Sequence, residues 1–159
     1  LDVQSGYERA LNAAVPALAG ADELSGIGEM AAGVMGSYAQ MVLDDEIAAS
    51  VRRLRRGFTA DEDALAVDVI ARVMDGSRNF LDQRHTVRYL RAGEVLTTRL
   101  ADRRTWEEWQ RGGRTTMADR AQAEAERLLA EHEVPPLSDD QERELDEIMR
   151  EAEAELFSD

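Results

Sequence analysis

The glycines at positions 26, 28, 33 and 36 place the strongest constraint on how this chain folds. Glycine lacks a Cβ and reaches backbone angles that other residues avoid, so the main chain shapes this segment. On its N-terminal side, Leu24-Ser25-Gly26-Ile27 is short, apolar and bounded by turn residues, the pattern of a buried strand. On its C-terminal side, Ser37-Tyr38-Ala39-Gln40 has the Ser-x-x-Gln spacing of a capping box. The helix it opens is expected to bury Met41, Ile47, Val51 and Leu54. Asp44, Asp45 and Glu46 near its start and Arg52, Arg53, Arg55 and Arg56 near its end follow the helix dipole, and Gly57 closes it. Residues 24–57 therefore read as strand, glycine loop and helix. In an α/β barrel or a doubly wound sheet, such a loop lies at the carboxyl end of the strand, where ligands bind.

The flanking segments are helical. Over residues 6–19, Tyr7, Ala10, Leu11, Ala14, Val15 and Leu18 share a face, with Pro16 kinking the helix or marking its last turn. Thr59-Ala60-Asp61-Glu62 has the capping-box spacing and opens a helix to about Met74, with Leu65, Ala66, Val69, Ile70 and Val73 inward. Asn79-Phe80-Leu81 fits either a very short strand or an apolar plug. Asp82 is the expected N-cap of a helix to about Arg91, and residues 92–102 lack a period and are expected on the surface. Thr105-Trp106-Glu107-Glu108 and Ser138-Asp139-Asp140-Gln141 are further capping boxes, and residues 115–132 read as one long helix. Helix, strand and helix in succession make an αβα slice of a larger parallel architecture, whose other strands must lie elsewhere. The slice ends near Asp102, beyond which the chain is charged and purely helical.

Composition narrows the function. With a formal net charge of −14, nucleic-acid phosphates would be repelled. Cysteine is absent, which excludes disulfides and thiolate metal sites. All 19 basic residues are arginine, so lysine Schiff-base chemistry and a P-loop lysine are excluded within this chain. No apolar run is long enough to span a bilayer, and the expected location is cytoplasmic. The chain begins at Leu1 rather than Met and reads as a soluble piece of a longer protein.

Four segments carry a family resemblance. The pattern GxGExxxG followed by SYxQxVxDDEI, over residues 26–47, resembles the C-terminal part of the trimethylamine methyltransferase family. These are corrinoid-dependent enzymes of methylotrophic archaea and bacteria. QSGYERALNAAVPALAGA at residues 4–21, NFLDQRHTVRYLR at 79–91 and RRTWEEWQRGG at 103–113 resemble neighbouring family segments in the same order. The resemblance implies an α/β fold. Residues 1–102 would be the last β/α units of a (β/α)8 barrel, and residues 103–159 a charged C-terminal helical extension. It implies transfer of a methyl group from a methylated amine, trimethylamine or a quaternary amine such as glycine betaine, to the corrinoid (cobalamin) of a partner protein. No cofactor is expected to bind this chain directly, a homo-oligomer is a candidate assembly, and the isolated chain is expected to be inactive. The family's pyrrolysine, where present, lies upstream of the segment matching Leu1.

The candidate substrate-binding residues are Gly26, Gly28, Glu29 and His85. Glu29 at a strand end would face a cationic or proton-donating ligand, since a carboxylate suits a quaternary ammonium. The glycines do not form a dinucleotide fingerprint, because the third glycine is missing. Family members carry a glutamate later in the loop, in a Gly-x-Gly-Met-Leu-Glu pattern; Ala31 or Ala32 stands there in this chain, with Glu29 two positions away. His85 lies in a family-like segment, whereas His132 ends a helix and is read as structural. The two histidines have no metal-ligand spacing, and consecutive Asp44, Asp45 and Glu46 cannot converge on one ion, so no metal site is expected. Tyr7, Tyr38, Tyr89, Trp106 and Trp109 are candidates for an aromatic cage, the tryptophans more simply for a clamp on the tail. No catalytic residue is assigned. The rival reading is a non-catalytic helical interaction module that docks through its acidic tail.

Overall fold

The computed structural model describes residues 2–157, so the outermost ends of both expected domains lie outside the described residues. The protein is mostly helical, with eight helices and two very short strands among the described residues. It forms two compact units, residues 1–127 and 128–159, and the division falls inside a helix.

In the first unit, helix α1 (Val3–Leu18) begins earlier than its apolar face suggests. The Asp2 carboxylate caps it by accepting the Ser5 N–H at 2.9 Å, and Pro16 sits in the last turn. The expected inward face is largely open: Tyr7, Leu11, Val15 and Leu18 are all exposed, and only Ala17 is buried.

The glycine segment departs from expectation. Leu24-Ser25-Gly26-Ile27 is irregular rather than a strand. The strands are β1 (Glu29–Met30) and β2 (Met35–Gly36), paired antiparallel with Glu29 opposite Gly36 and Met30 opposite Met35. A single short apolar run finds no parallel neighbour here, so the glycines turn the chain back on itself instead. Ala31, Ala32 and Gly33, all at positive φ, form the turn.

Helix α2 (Tyr38–Arg56) is capped by Ser37, whose hydroxyl accepts the Gln40 N–H at 3.2 Å, and closed by Gly57 at φ 67°. Only half of the expected capping box forms, because the Gln40 side chain points to Asp44 instead. Val51 is buried as expected, while Met41 and Leu54 are exposed. The helix-dipole explanation of Asp44, Asp45 and Glu46 fails. They lie beyond the first turn, which holds no acidic residue, and Asp44 and Glu46 are buried. Each has its own partner. Asp45 pairs with Arg99 at 2.7 Å, and Glu46 accepts the backbone N–H groups of Arg99, Leu100 and Ala101.

The single helix expected from Thr59 to Met74 is two. Helix α3 (Glu62–Leu65) is capped by Asp61, and α4 (Val67–Asp75) follows a break at Ala66, which adopts a left-handed φ of 51°. Helix α5 (Arg84–Arg91) starts after Gln83, which makes no side-chain cap; Asp82 bonds Asn79 and Gln83 instead. Residues 79–81 form no strand. Residues 92–102 are irregular, yet Leu100 is buried because Glu46 pins it. With Ala39 and Ala121 it makes a small core, against which Val42 and Leu43 pack.

Helix α6 (Trp106–Arg111) opens with a complete Thr105–Glu108 capping box. The Trp106 and Trp109 rings lie 4.8 Å apart, and the Trp109 indole donates to the Thr115 carbonyl at 2.9 Å, tying α6 to the start of α7 (Met117–Glu131). In the second unit, α8 (Asp139–Leu156) opens with a complete Ser138–Gln141 capping box. Leu145, Ile148 and Met149 on this helix are exposed.

Candidate functional site

Gly26 and Glu29 come together at a groove of about 840 Å³ bordered by α1, the glycine segment and α2, while the buried Gly28 lies behind its lining. Its walls include the apolar side chains of Pro16, Leu24, Ile27, Ile47 and Val51, together with the Glu29 carboxylate. Ala31 and Ala32 border the same groove. Glu29 folds back over two glycines: a Cβ added at Gly26 or Gly33 would lie 3.5 Å from its Oε2. Among the described residues its carboxylate makes no hydrogen bond or ion pair.

The loop carrying Glu29 is anchored by Arg9 and by Gln40 and Asp44, which the sequence suggested as a capping and a helix-dipole residue. The buried Asp44 carboxylate accepts the Gly28 N–H at 2.8 Å through Oδ2 and the Gln40 Nε2–H at 2.7 Å through Oδ1. Arg9 Nη1 donates to Asp44 Oδ2 at 2.6 Å, and Arg9 Nη2 donates to the Glu29 carbonyl. One buried carboxylate thus joins α1, the glycine loop and α2. The available signal was the four-residue spacing of Gln40 and Asp44, which places both on one helix face. The Gln40 Oε1 is buried and has no partner among protein atoms. Gly28 is required where it stands: its φ is 78°, and a Cβ would lie 3.1 Å from Met41 Cβ and 3.3 Å from the Ser37 carbonyl oxygen.

His85 is not part of this groove. It lies on α5, where its Nε2 meets the Asp63 carbonyl at 2.7 Å and its ring stacks on Tyr89 at 4.4 Å. Arg88 and the Tyr89 hydroxyl both donate to the Asp63 carboxylate, which holds its pKa below the ordinary aspartate range. His85 therefore belongs to a polar cluster that fastens α5 to α3. None of the five candidate cage aromatics borders the groove. Among the described residues no three His, Cys, Asp or Glu side chains are placed to hold a metal ion, and no helix is long and apolar enough to cross a membrane.

Chemically, the groove sets the unpartnered Glu29 carboxylate among apolar side chains and further charged residues, Asp22, Glu23, Arg52 and Arg55 among them. A carboxylate beside apolar surface suits a cation that carries apolar substituents and asks for few hydrogen bonds.

Comparison with known proteins gives the same direction. Residues 1–156 match the trimethylamine methyltransferase family. The chain is 32% identical over 154 residues to a trimethylamine methyltransferase of Desulfitobacterium hafniense (strain DSM 10664 / DCB-2), covering 97% of this chain and 30% of the relative. It is 32% identical over 139 residues to the trimethylamine methyltransferase of Methanosarcina barkeri, covering 87% of this chain and 28% of the relative. It is 35% identical over 140 residues to a glycine betaine methyltransferase of Desulfitobacterium hafniense (strain Y51), again covering 87% and 28%. The chain thus spans less than a third of the length of these curated relatives.

Proposed function

The chain belongs to the trimethylamine methyltransferase family, and from that premise we propose that it is part of an enzyme that takes a methyl group from a methylated amine and passes it to a corrinoid carried by a separate protein. The amine is trimethylamine or a quaternary amine such as glycine betaine, the two kinds of substrate named among the relatives. The observation that carries this reading is the unpaired Glu29 carboxylate in the groove between α1 and α2. A methylated ammonium spreads its charge over apolar methyl groups, so a carboxylate beside Leu24, Ile27 and Val51 suits it better than a dense hydrogen-bonding site.

The division of labour follows from what each party supplies. A corrinoid on the partner protein would supply, from its reduced cobalt, the electron pair of the new bond to the methyl carbon, and the C–N pair would leave with the amine. This chain's groups bind the cation, fix its orientation and limit water around it. Its fold in the whole enzyme is the last β/α units of a (β/α)8 barrel over residues 1–102, followed by a charged helical extension over 103–159. The exposed apolar residues Tyr7, Leu11 and Val15 of α1 and Ile70 and Met74 of α4 support this, because a larger fold would cover them.

A second reading is a non-catalytic interaction module. It rests on α8, which exposes Leu145, Ile148 and Met149 on a helix rich in acidic residues. The experiment that separates the two is an NMR titration of the chain with tetramethylammonium chloride and with glycine betaine, reading the amides of Gly26, Gly28 and Gly33. Saturable shifts that vanish in Glu29→Gln are expected, and shifts that survive Glu29→Gln overturn the cation reading. A corrinoid methylation assay is expected to show no turnover by this chain alone.

A further inference from the structure

Arg9 is bonded to the residue that carries the free carboxylate, yet it does not neutralise that carboxylate. Its Nη2 donates to the backbone carbonyl of Glu29, and its Nη1 is held 2.6 Å from Asp44 Oδ2. Both terminal nitrogens are thereby engaged, one by main chain and one by Asp44. Asp44 is itself fixed, because Gly28 N–H and Gln40 Nε2–H donate to it at 2.8 and 2.7 Å. A guanidinium is a planar fork that pairs with a carboxylate through two parallel hydrogen bonds when it is free to do so. Arg9 already lies at residue 29, so a carboxylate other than Glu29 has to occupy it.

We infer that Asp44 is a positioning residue that holds Arg9 away from the Glu29 carboxylate and so keeps that carboxylate open to a cation. The inference rests on the cation-binding reading of the groove. It assigns a purpose to a buried acid that borders the groove beside Arg9 yet is already engaged by Arg9, Gly28 and Gln40. With Asp44 neutral, Arg9 swings from it onto Glu29, and the Glu29 carboxylate is no longer open.

Two measurements test this. The first needs no ligand. In Asp44→Asn the Arg9 Nε–H resonance is expected to move, and adding Glu29→Gln in that background is expected to move it again, because Arg9 then rests on the Glu29 side chain. An Arg9 signal in Asp44→Asn that ignores Glu29→Gln overturns the inference. The second is tetramethylammonium affinity, read on the glycine amides. Asp44→Asn is expected to weaken it roughly fivefold, the scale of one partly exposed ion pair. Arg9→Gln added to Asp44→Asn is expected to restore it. A purely structural role for Asp44 predicts instead that the double variant binds no better than the single one, which overturns the inference.

If Asp44→Asn does not fold, Arg9→Gln alone decides. Because Asp44 already holds Arg9 off the Glu29 side chain, removing Arg9 is expected to change tetramethylammonium affinity by no more than about twofold, and a tightening beyond that, which would mean that Arg9 already occupies the carboxylate, overturns the inference. Equal cation affinity in the wild type and Glu29→Gln would instead overturn the binding reading, leaving the Arg9 resonance to judge the role of Asp44.

Discussion

The Glu46 carboxylate accepts the backbone N–H of Leu100 at 3.0 Å through Oε1, and the same carboxylate also accepts the N–H groups of Arg99 and Ala101. One side chain from the middle of α2 thus satisfies three consecutive donors of an irregular segment, doing for it what a neighbouring strand would otherwise do. Because Glu46 and Leu100 are both buried, the Leu100 donor has no water to fall back on, and those of Arg99 and Ala101 are partly shielded. Glu46→Gln, which replaces one acceptor oxygen by a donor, is expected to destabilise the first unit by about 2 kcal/mol, and Glu46→Ala by about 3 kcal/mol. Urea denaturation checks the magnitude. Faster amide exchange at Arg99, Leu100 and Ala101 before the rest of the unit checks the location.

That pairing shows where sequence reading succeeds and where it stops. Helix starts that use local chemistry were legible: Thr105 with Glu108 and Ser138 with Gln141 form complete capping boxes because both partners lie within one turn. The glycine segment was legible as a turn for the same local reason, with Gly26, Gly28 and Gly33 all at positive φ. Partnerships across many residues were not. Asp44 and Glu46 look like dipole-matching acids when only α2 is considered, and their meaning comes from Arg9, Gly28 and Leu100. The break at Ala66 was equally hidden, since alanine favours helix interiors and gives no sign of a positive φ. Apolar periodicity correctly located α1, but it did not reveal that Tyr7, Leu11 and Val15 stay open in this chain.

Gly28 and Gly6 respond in opposite ways to the same methyl group. Gly28→Ala meets a φ of 78° and a contact of 3.1 Å to Met41 Cβ, so a loss of about 1–3 kcal/mol is expected. It is also expected to disturb the bond from the Gly28 N–H to Asp44, and with it the presentation of Glu29. Gly6 lies inside α1 with open space where a Cβ would go. Gly6→Ala is therefore expected to stabilise the chain by about 0.5–1 kcal/mol. Thermal unfolding followed by circular dichroism reads both signs.

Acid sensitivity is expected to centre on Asp102. Its carboxyl is held well below the usual aspartate value of 3.8, first by the Arg104 side chain and backbone N–H, and further by Arg120. A depressed native pKa means that the group's contribution to stability is complete above about 3.8 and is lost as the pH falls through the lower native value. Asp63, Asp119 and Glu124 are shifted in the same direction by Arg88, Thr116 and Arg127. Asp102→Asn should therefore be less stable than the wild type at neutral pH, and the two should converge as the pH drops below 3.8. Urea midpoints measured from pH 7 downward test this, and a constant gap at all pH values would refute the role of ionised Asp102.

The open face of α1 makes a prediction about the chain in solution. Val3, Tyr7, Leu11, Val15 and Leu18 repeat at spacings of three and four, and their exposures run from 46% at Leu11 to 90% at Val3. They form a stripe along one side of a helix whose opposite side packs on α2. A continuous apolar stripe of this kind is unfavourable in water and drives association or binding of apolar dyes. The chain is therefore expected to self-associate in a concentration-dependent way and to enhance the fluorescence of an anilinonaphthalene dye. Leu11→Glu together with Val15→Glu should reduce both effects while leaving helicity intact, because neither side chain is buried against α2. Sedimentation velocity over a concentration series gives the readout. A monomer at every concentration, with no dye binding, would show that α1 needs no further cover and would weaken the case for a larger surrounding fold.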